Sequence, residues 1–455
     1  MKKVSEQIRQ VGSLDSRSLA LCRICLATLL LWDLGQTWLY FESLLLDEGI
    51  VSRDFLRSNY QDNHWTLFGI WFLDGVSMSR GGAQFVLSIH ALAIVSLLIG
   101  FKTRWAAVLV WLFTIQLHNR NPYIIQGADT LIRTMLFWFM FLPSGRHFSI
   151  DARGKSRDPE MLRGARSFFF TAQFALMYIL TWWLKDHPFW NEDHSAVYFA
   201  LHYDQLATPL GIWLRQFEAL LPWLTRLTYW TEILAPVLLL VSTGLPRTRL
   251  VLVFGMVLFH ISLASALLLA HFPWACAILW LAFLPESFWG SAASIVQTST
   301  RPFWKRKKEM VLGAIFLLVL SWNVRTVDFQ LHRKWFPRSL NWTLQVVRLD
   351  QYWSMFAPFP SREDGWFVIT ARTEDGRWHD LLRDRKGDFA RRPEVPAQDY
   401  PNGRWSKLYS YLRDDDHPLR SVILQWLQDR WDQENPENPI VEIRLEFIEE
   451  FTPPP

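Results

Sequence analysis

The chain has 455 residues, 20% of them charged, a formal net charge of +4 and a mean hydropathy of +0.06, averages that would suit a soluble protein. They mix two unlike regions. Residues 18–325 return repeatedly to apolar runs near the ~20 residues that cross a hydrocarbon core, whereas the rest is rich in Asp, Arg and Pro. Cys22, Cys25 and Cys276 all lie inside or beside apolar runs, so no disulfide framework is indicated, and the Cys22–Cys25 C-x-x-C spacing lacks the strand–helix context of a redox motif. With no phosphate-binding glycine loop, no nucleic-acid signature and no ligand spacing among the histidines, neither nucleic acid nor a metal is expected as a partner.

In chain order, Met1–Arg17 is polar, and the long run behind it has no small-residue cleavage site, so it is expected to be a retained span rather than a signal peptide. Length and apolarity give nine candidate spans near 18–41, 82–101, 104–118, 128–145, 166–185, 226–243, 248–270, 272–288 and 309–326. Two interrupted apolar stretches, 62–76 (His64, Asp74) and 207–223 (Arg215, Glu218), have the pattern of interfacial amphipathic helices.

Lys and Arg concentrate in alternate loops: Lys2, Lys3, Arg9 and Arg17; Lys102 and Arg104; Arg146 to Arg166; Arg247 and Arg249; Arg301 to Lys308. The intervening loops are poorer in them, and the first is acidic (Glu42, Asp47, Glu48, Asp54, Asp62). This positive-inside bias predicts an inner-membrane protein with a cytoplasmic N-terminus and an extracytoplasmic C-terminal region. Within residues 328–455, Gly365–Ala371 and Val441–Ile448 alternate like strands, Arg420–Trp431 has a helical period, and Asp375-Gly376 and Asn402-Gly403 mark turns. The expected fold is an all-α polytopic membrane bundle over 1–327 with a small α+β extramembrane domain over 328–455.

Ionisable groups inside spans are costly unless paired or wet, so each is a site candidate. Asp33, His90, Asp129, Arg133, Lys185, Glu232 and His260 all fall in the outer halves of their spans on this topology, which predicts a polar pocket open to the non-cytoplasmic face. Arg23 lies toward the cytoplasm and is expected to snorkel inward. Asp129 and Arg133 have the i,i+4 spacing of a helix-face pair, and Asp33 or Glu232 could instead neutralise Arg133. His90 and His260 could be helix–helix hydrogen-bond partners. Lys185 could be an interfacial lysine or, held among Trp182, Trp183, Phe189 and Trp190, a desolvated base; Asp186 would oppose that desolvation.

The sequence resembles the HTTM-domain membrane proteins, bacterial relatives of vitamin K-dependent γ-carboxylase. The resemblance rests on Asp15-Ser16-Arg17-Ser18-Leu19-Ala20, His118-Asn119-Arg120-Asn121-Pro122, Gln126-Gly127-Ala128-Asp129 with Arg133, and Phe141-Leu142-Pro143. It continues through Lys185 with Trp190, Thr231-Glu232-Ile233-Leu234-Ala235-Pro236, Phe259-His260 and Gln351-Tyr352-Trp353-Ser354-Met355-Phe356-Ala357-Pro358. It covers nearly the whole chain in order. It implies that Lys185 is the base that deprotonates a reduced, vitamin K-like quinone, with O2 and CO2 as co-substrates and no metal. Asp33, Asn121, Asp129, Arg133, Trp190, Glu232 and His260 would shape the substrate pocket. Asn121-Pro122 stands where the animal enzyme has an Asn-His pair, and the C-terminal domain is much shorter than that enzyme's lumenal portion.

Two functions are therefore expected to compete. One is a carboxylase- or epoxidase-like enzyme acting on a lipid-soluble quinone and modifying an exported peptide or small molecule. The other is a non-enzymatic membrane factor whose outer domain binds an exported peptide or protein. No inverted repeat or paired broken helices point to a transporter.

Overall fold

The computed structural model describes residues 12–59, 79–155, 158–242, 245–290, 307–327, 340–383 and 388–455, with the backbone of 294–297. The expected interfacial helix 62–76 and the loop charges Lys2, Lys3, Arg9, Asp62, Arg157, Arg301, Lys305 and Arg306 lie outside these residues.

The chain is mostly helical. Its principal bundle helices are α1 (Ser16–Leu39), α2 (Arg80–Ile99), α3 (Thr103–Arg120), α4 (Gly127–Phe139), α5 (Ala165–Trp183), α6 (Leu221–Val241), α7 (Pro246–Ala266), α8 (Phe272–Leu281) and α9 (Lys307–Val327). Among the described residues, five helices are long and apolar enough to cross a membrane: α1, α2, α6 with its preceding turn, α7 and α9. The runs expected at 104–118, 128–145, 166–185 and 272–288 also become helices. However, α3 carries Gln116, His118 and Arg120, while α4 and α8 stop at 13 and 10 residues.

Local chemistry sets the helix ends. The Asp15 carboxylate accepts from the Arg17 amide at 2.8 Å and caps α1, and Ser79 Oγ accepts from the Gly82 amide at 3.0 Å to cap α2. Gly100 closes α2 in the left-handed region at φ +69°, where a Cβ would approach Ser149 Cβ to 2.2 Å, so only glycine fits. Pro236 lies inside α6 and removes the amide that would bond the Glu232 carbonyl one turn earlier.

Outward faces stay apolar. Phe85, Leu92, Leu227, Trp230, Leu234, Val251 and Leu258 are all exposed, a surface that suits lipid better than water. Inside, Phe170, Phe174, Trp280 and Phe283 pack between α5 and α8, and Trp138, Phe169 and Phe316 join α4, α5 and α9. The stretch 207–223 forms short helices, Pro209–Leu214 and Glu218–Leu220, with Leu210, Trp213, Phe217 and Leu220 exposed.

At the end of the bundle where α1 begins and α4 finishes, strand β1 (Leu14–Asp15) pairs antiparallel with β2 (Glu160–Arg163), which pairs in parallel with β3 (Ser294–Gln297). Arg23 is buried there rather than snorkelling. Its guanidinium donates to the carbonyls of Ser144 at 2.7 Å and Phe148 at 2.5 Å, so the loop after α4 supplies the acceptors that water would have provided.

At the opposite end lies the C-terminal domain. Strand β4 (Glu363–Thr373) sits between β5 (Trp378–Asp380) and β6 (Ile440–Phe451), all antiparallel, with Phe367 opposite Phe447. Helices α10 (Gly403–Ser410) and α11 (Leu419–Glu434) complete it. Both expected strands and the expected helix fall inside these longer elements. The Asn402-Gly403 pair starts a helix: the Asn402 side chain accepts from the amides of Arg404 and Trp405 as the α10 N-cap. The apolar core is continuous from Leu344, Leu349 and Trp353 against the bundle to Phe367, Leu408 and Tyr409 in the domain. The two regions are thus packed together.

Candidate functional site

Lys185 follows the last turn of α5, and Glu232 lies on α6, the helix packed beside it. Both are buried. The ammonium donates to both oxygens of Glu232, at 2.5 Å to Oε2, and stands 4.6 Å from the centroid of Trp190. Trp190 Nε1 in turn donates to the carbonyl of Phe356 at 3.1 Å. The Asp186 carboxylate points away, toward Asn191 at 3.4 Å. The interfacial reading of Lys185 therefore fails on burial, and its partner comes from another helix.

His260 and Tyr178 share a hydrogen bond of 2.6 Å between α7 and α5, and Trp280 Nε1 donates to the same hydroxyl at 2.8 Å. His260 is thus a helix–helix partner. His90 is buried with its ring stacked on Phe113 at 5.6 Å, and neither ring nitrogen has a hydrogen-bond partner among the described residues.

Asp33 and Asp129 gather around a residue that sequence reasoning missed. Arg404, in the first turn of α10, inserts into the bundle. Its Nη2 donates to both oxygens of Asp33 at 2.7 and 2.8 Å and to Asp129 Oδ1 at 3.2 Å. His118 Nε2 lies 3.2 Å from the same Asp129 oxygen, and the other oxygen accepts from the Gln126 amide at 2.8 Å. The void among these side chains measures about 20 Å³, room for no more than a water.

Arg133 pairs with neither Asp129, Asp33 nor Glu232. It donates to the carbonyls of Arg348 at 2.9 Å and Asp350 at 2.8 Å, and to the Asp350 carboxylate at 3.2 Å. Asn121 is structural: its amide donates to the Leu44 carbonyl at 2.9 Å, and its oxygen accepts from the Tyr123 amide at 3.1 Å.

Between these clusters lies a cleft of about 690 Å³, within the ~300–1,000 Å³ range of small-molecule sites. Thr181 and Phe272 face it from the bundle, Tyr352 to Phe356 from the connecting segment, and Tyr400 and Ser406 from the C-terminal domain. Its wall is mostly aromatic and aliphatic. Gln351, at the head of that connecting segment, is anchored by Gln173 and Trp353, each at 2.9 Å, while Trp322 donates to its carbonyl at 3.0 Å. Lys185 lies one turn beyond Thr181 and behind the Trp190–Phe356 contact, so it belongs to the second layer of the wall.

Compared with family models, curated proteins and solved structures, the chain matches none.

Three chemical capacities follow from the arrangement. The cleft can hold a small, largely apolar molecule, the Lys185–Glu232 pair can exchange a proton with a group that comes within hydrogen-bond reach of it, and the Arg404 cluster can lock the domain onto the bundle. Among the described residues, no group of three or more His, Cys, Asp or Glu side chains is placed to hold a metal ion.

Proposed function

We propose that the chain is a nine-span inner-membrane protein, N-terminus in the cytoplasm and C-terminal domain outside, that binds a lipid-soluble, quinol-like molecule in the 690 Å³ cleft. The single observation carrying this proposal is the buried Lys185–Glu232 pair set directly behind an aromatic wall. The substrate hydroxyl transfers its proton to the pair, leaving Glu232 protonated and Lys185 as an ammonium facing the new oxyanion. The resemblance adds O2 and CO2 as co-substrates and an exported peptide or small molecule as the group modified.

The test uses the purified full-length protein in lipid with reduced naphthoquinone, oxygen and labelled bicarbonate. Wild type is expected to consume the quinol and Lys185→Ala is expected not to. Turnover that survives Lys185→Ala would remove Lys185 from the chemistry.

One observation favours the second function, a non-enzymatic factor for maturation or export of a peptide. Asp33, Asp129, Arg133, Lys185 and Glu232 each have an opposite charge beside them. The cleft would then receive peptide side chains rather than a quinol, and peptide maturation would persist in Lys185→Ala.

A further inference from the structure

A second cavity, about 520 Å³, opens at the far end of the bundle from the C-terminal domain, and none of the functions above uses it. Five cations line it: Arg104 at the start of α3, Arg146 and Lys155 in the loop after α4, Arg163 on β2, and Arg166 in the first turn of α5. The acids nearby are largely committed. Asp151 accepts from the amides of Lys102 and Thr103 at 2.9 Å each and from the Thr103 hydroxyl at 2.7 Å, and Glu160 pairs with Arg146. Counting Asp151 and Glu160 against the five cations leaves an excess of three positive charges.

The floor has the opposite character. Phe141, Leu142 and Leu162 line it, continuing the apolar surface at the end of α4. The N-cap of α5, Gly164, makes no side-chain cap bond, so amides of the first turn near the cavity lack that partner and the helix dipole adds to the positive field. A cationic rim over an apolar floor, where helices end, matches a phosphate ester carrying a hydrocarbon chain. Neither an apolar ligand nor a free anion uses both halves.

We propose that this cavity binds the phosphate headgroup of an anionic glycerophospholipid, with its acyl chain running along the Phe141–Leu142 floor. Arg104 and Arg166 are exposed, and together with Lys155 they hold the phosphate. The proposal rests on the membrane-spanning reading of the bundle and is independent of quinol chemistry.

The test is a lipid titration of the purified full-length protein in detergent, read as thermal stability. Short-chain phosphatidylglycerol should raise the melting temperature saturably, and short-chain phosphatidylcholine should not. The Arg104→Gln/Arg166→Gln pair should weaken the phosphatidylglycerol response by roughly 30-fold, as expected for two cations at a charged headgroup. Arg430→Gln, far away on α11, should leave it unchanged. Equal responses to the two lipids, or an unchanged response in the double variant, would overturn the proposal. Inorganic phosphate alone producing the full shift would also overturn it, by assigning the site to a free anion.

Discussion

Arg404 of the C-terminal domain grips Asp33 of the bundle through both carboxylate oxygens, at 2.7 and 2.8 Å, across a sequence separation of 371 residues. The same nitrogen reaches Asp129 at 3.2 Å, so one guanidinium from outside the bundle neutralises carboxylates on two of its helices. Such a pair contributes little net stability while intact, because desolvation offsets the attraction. Removing one partner strands buried charge.

Arg404→Ala is therefore expected to cost about 3–5 kcal/mol, since it leaves Asp33 and Asp129 without their shared cation. Arg404→Lys should retain part of this, because a point charge replaces a planar fork. Chemical or thermal unfolding in detergent reads the loss. In an Asp33→Asn background the penalty should shrink, and strictly additive losses would show that the two residues are not coupled.

Lys185 and Glu232 separate a structural from a chemical role. Either Lys185→Met or Glu232→Leu alone should destabilise the protein by about 3–5 kcal/mol. The double substitution should recover most of that, because two apolar side chains replace a buried ion pair of similar volume. Quinol turnover, if the pair performs it, stays absent in the double variant despite restored stability. A double variant that turned over substrate would confine the pair to holding α5 against α6.

How much of this was legible in the sequence depends on the range of the interaction. Apolar runs marked the bundle helices and alternation marked β4 and β6, because those patterns are local. The exceptions were also local: α4 and α8 are shorter than their apolar runs because a helix ends where the chain turns, not where apolarity stops. Asp33, Asp129, Arg133, Lys185, Glu232 and His260 were recognisable as costly. Their partners were not, since 185 and 232, or 33 and 404, meet only through packing. Arg404 carried no such mark, because it lies in a polar segment outside the apolar runs. The Asn402-Gly403 turn reading hid it, because an N-cap uses the same residues as a turn.

Asp364, at the start of β4, should make stability fall as pH rises. Burial pushes its carboxyl up to about 7, outweighing the backbone amides of Gly365 and Gln205 that favour the charged form; one oxygen also accepts from the Asp204 amide. An unfolded aspartate titrates near ~3.9. Between about pH 4 and pH 7 the native state therefore holds a proton that the unfolded state has released, and each pH unit removes up to about 1.4 kcal/mol. Asp364→Asn should flatten this slope, matching wild type near pH 4 and exceeding it at pH 8. Parallel profiles for the two proteins between pH 5 and 8 would contradict the assignment.

Gly403 sets how closely the C-terminal domain approaches the cleft. A Cβ there would come within 2.8 Å of Ala270 Cβ and 3.0 Å of Gln126 Nε2, and that amide already donates to the Gly403 carbonyl. Gly403→Ala must therefore push α10 away from the loop before α8 or displace Gln126, a strain of about 1–3 kcal/mol. Because Arg404 is the next residue, the same shift lengthens its contacts to Asp33 and Asp129. The expected result is a lower melting temperature together with faster proteolytic release of the C-terminal domain. Gln126→Ala removes one of the two obstructing groups but leaves Ala270, so it should relieve Gly403→Ala only in part. Complete relief would locate the clash at the amide alone, and unchanged proteolysis in Gly403→Ala would mean that the domain is held by its apolar core rather than by α10.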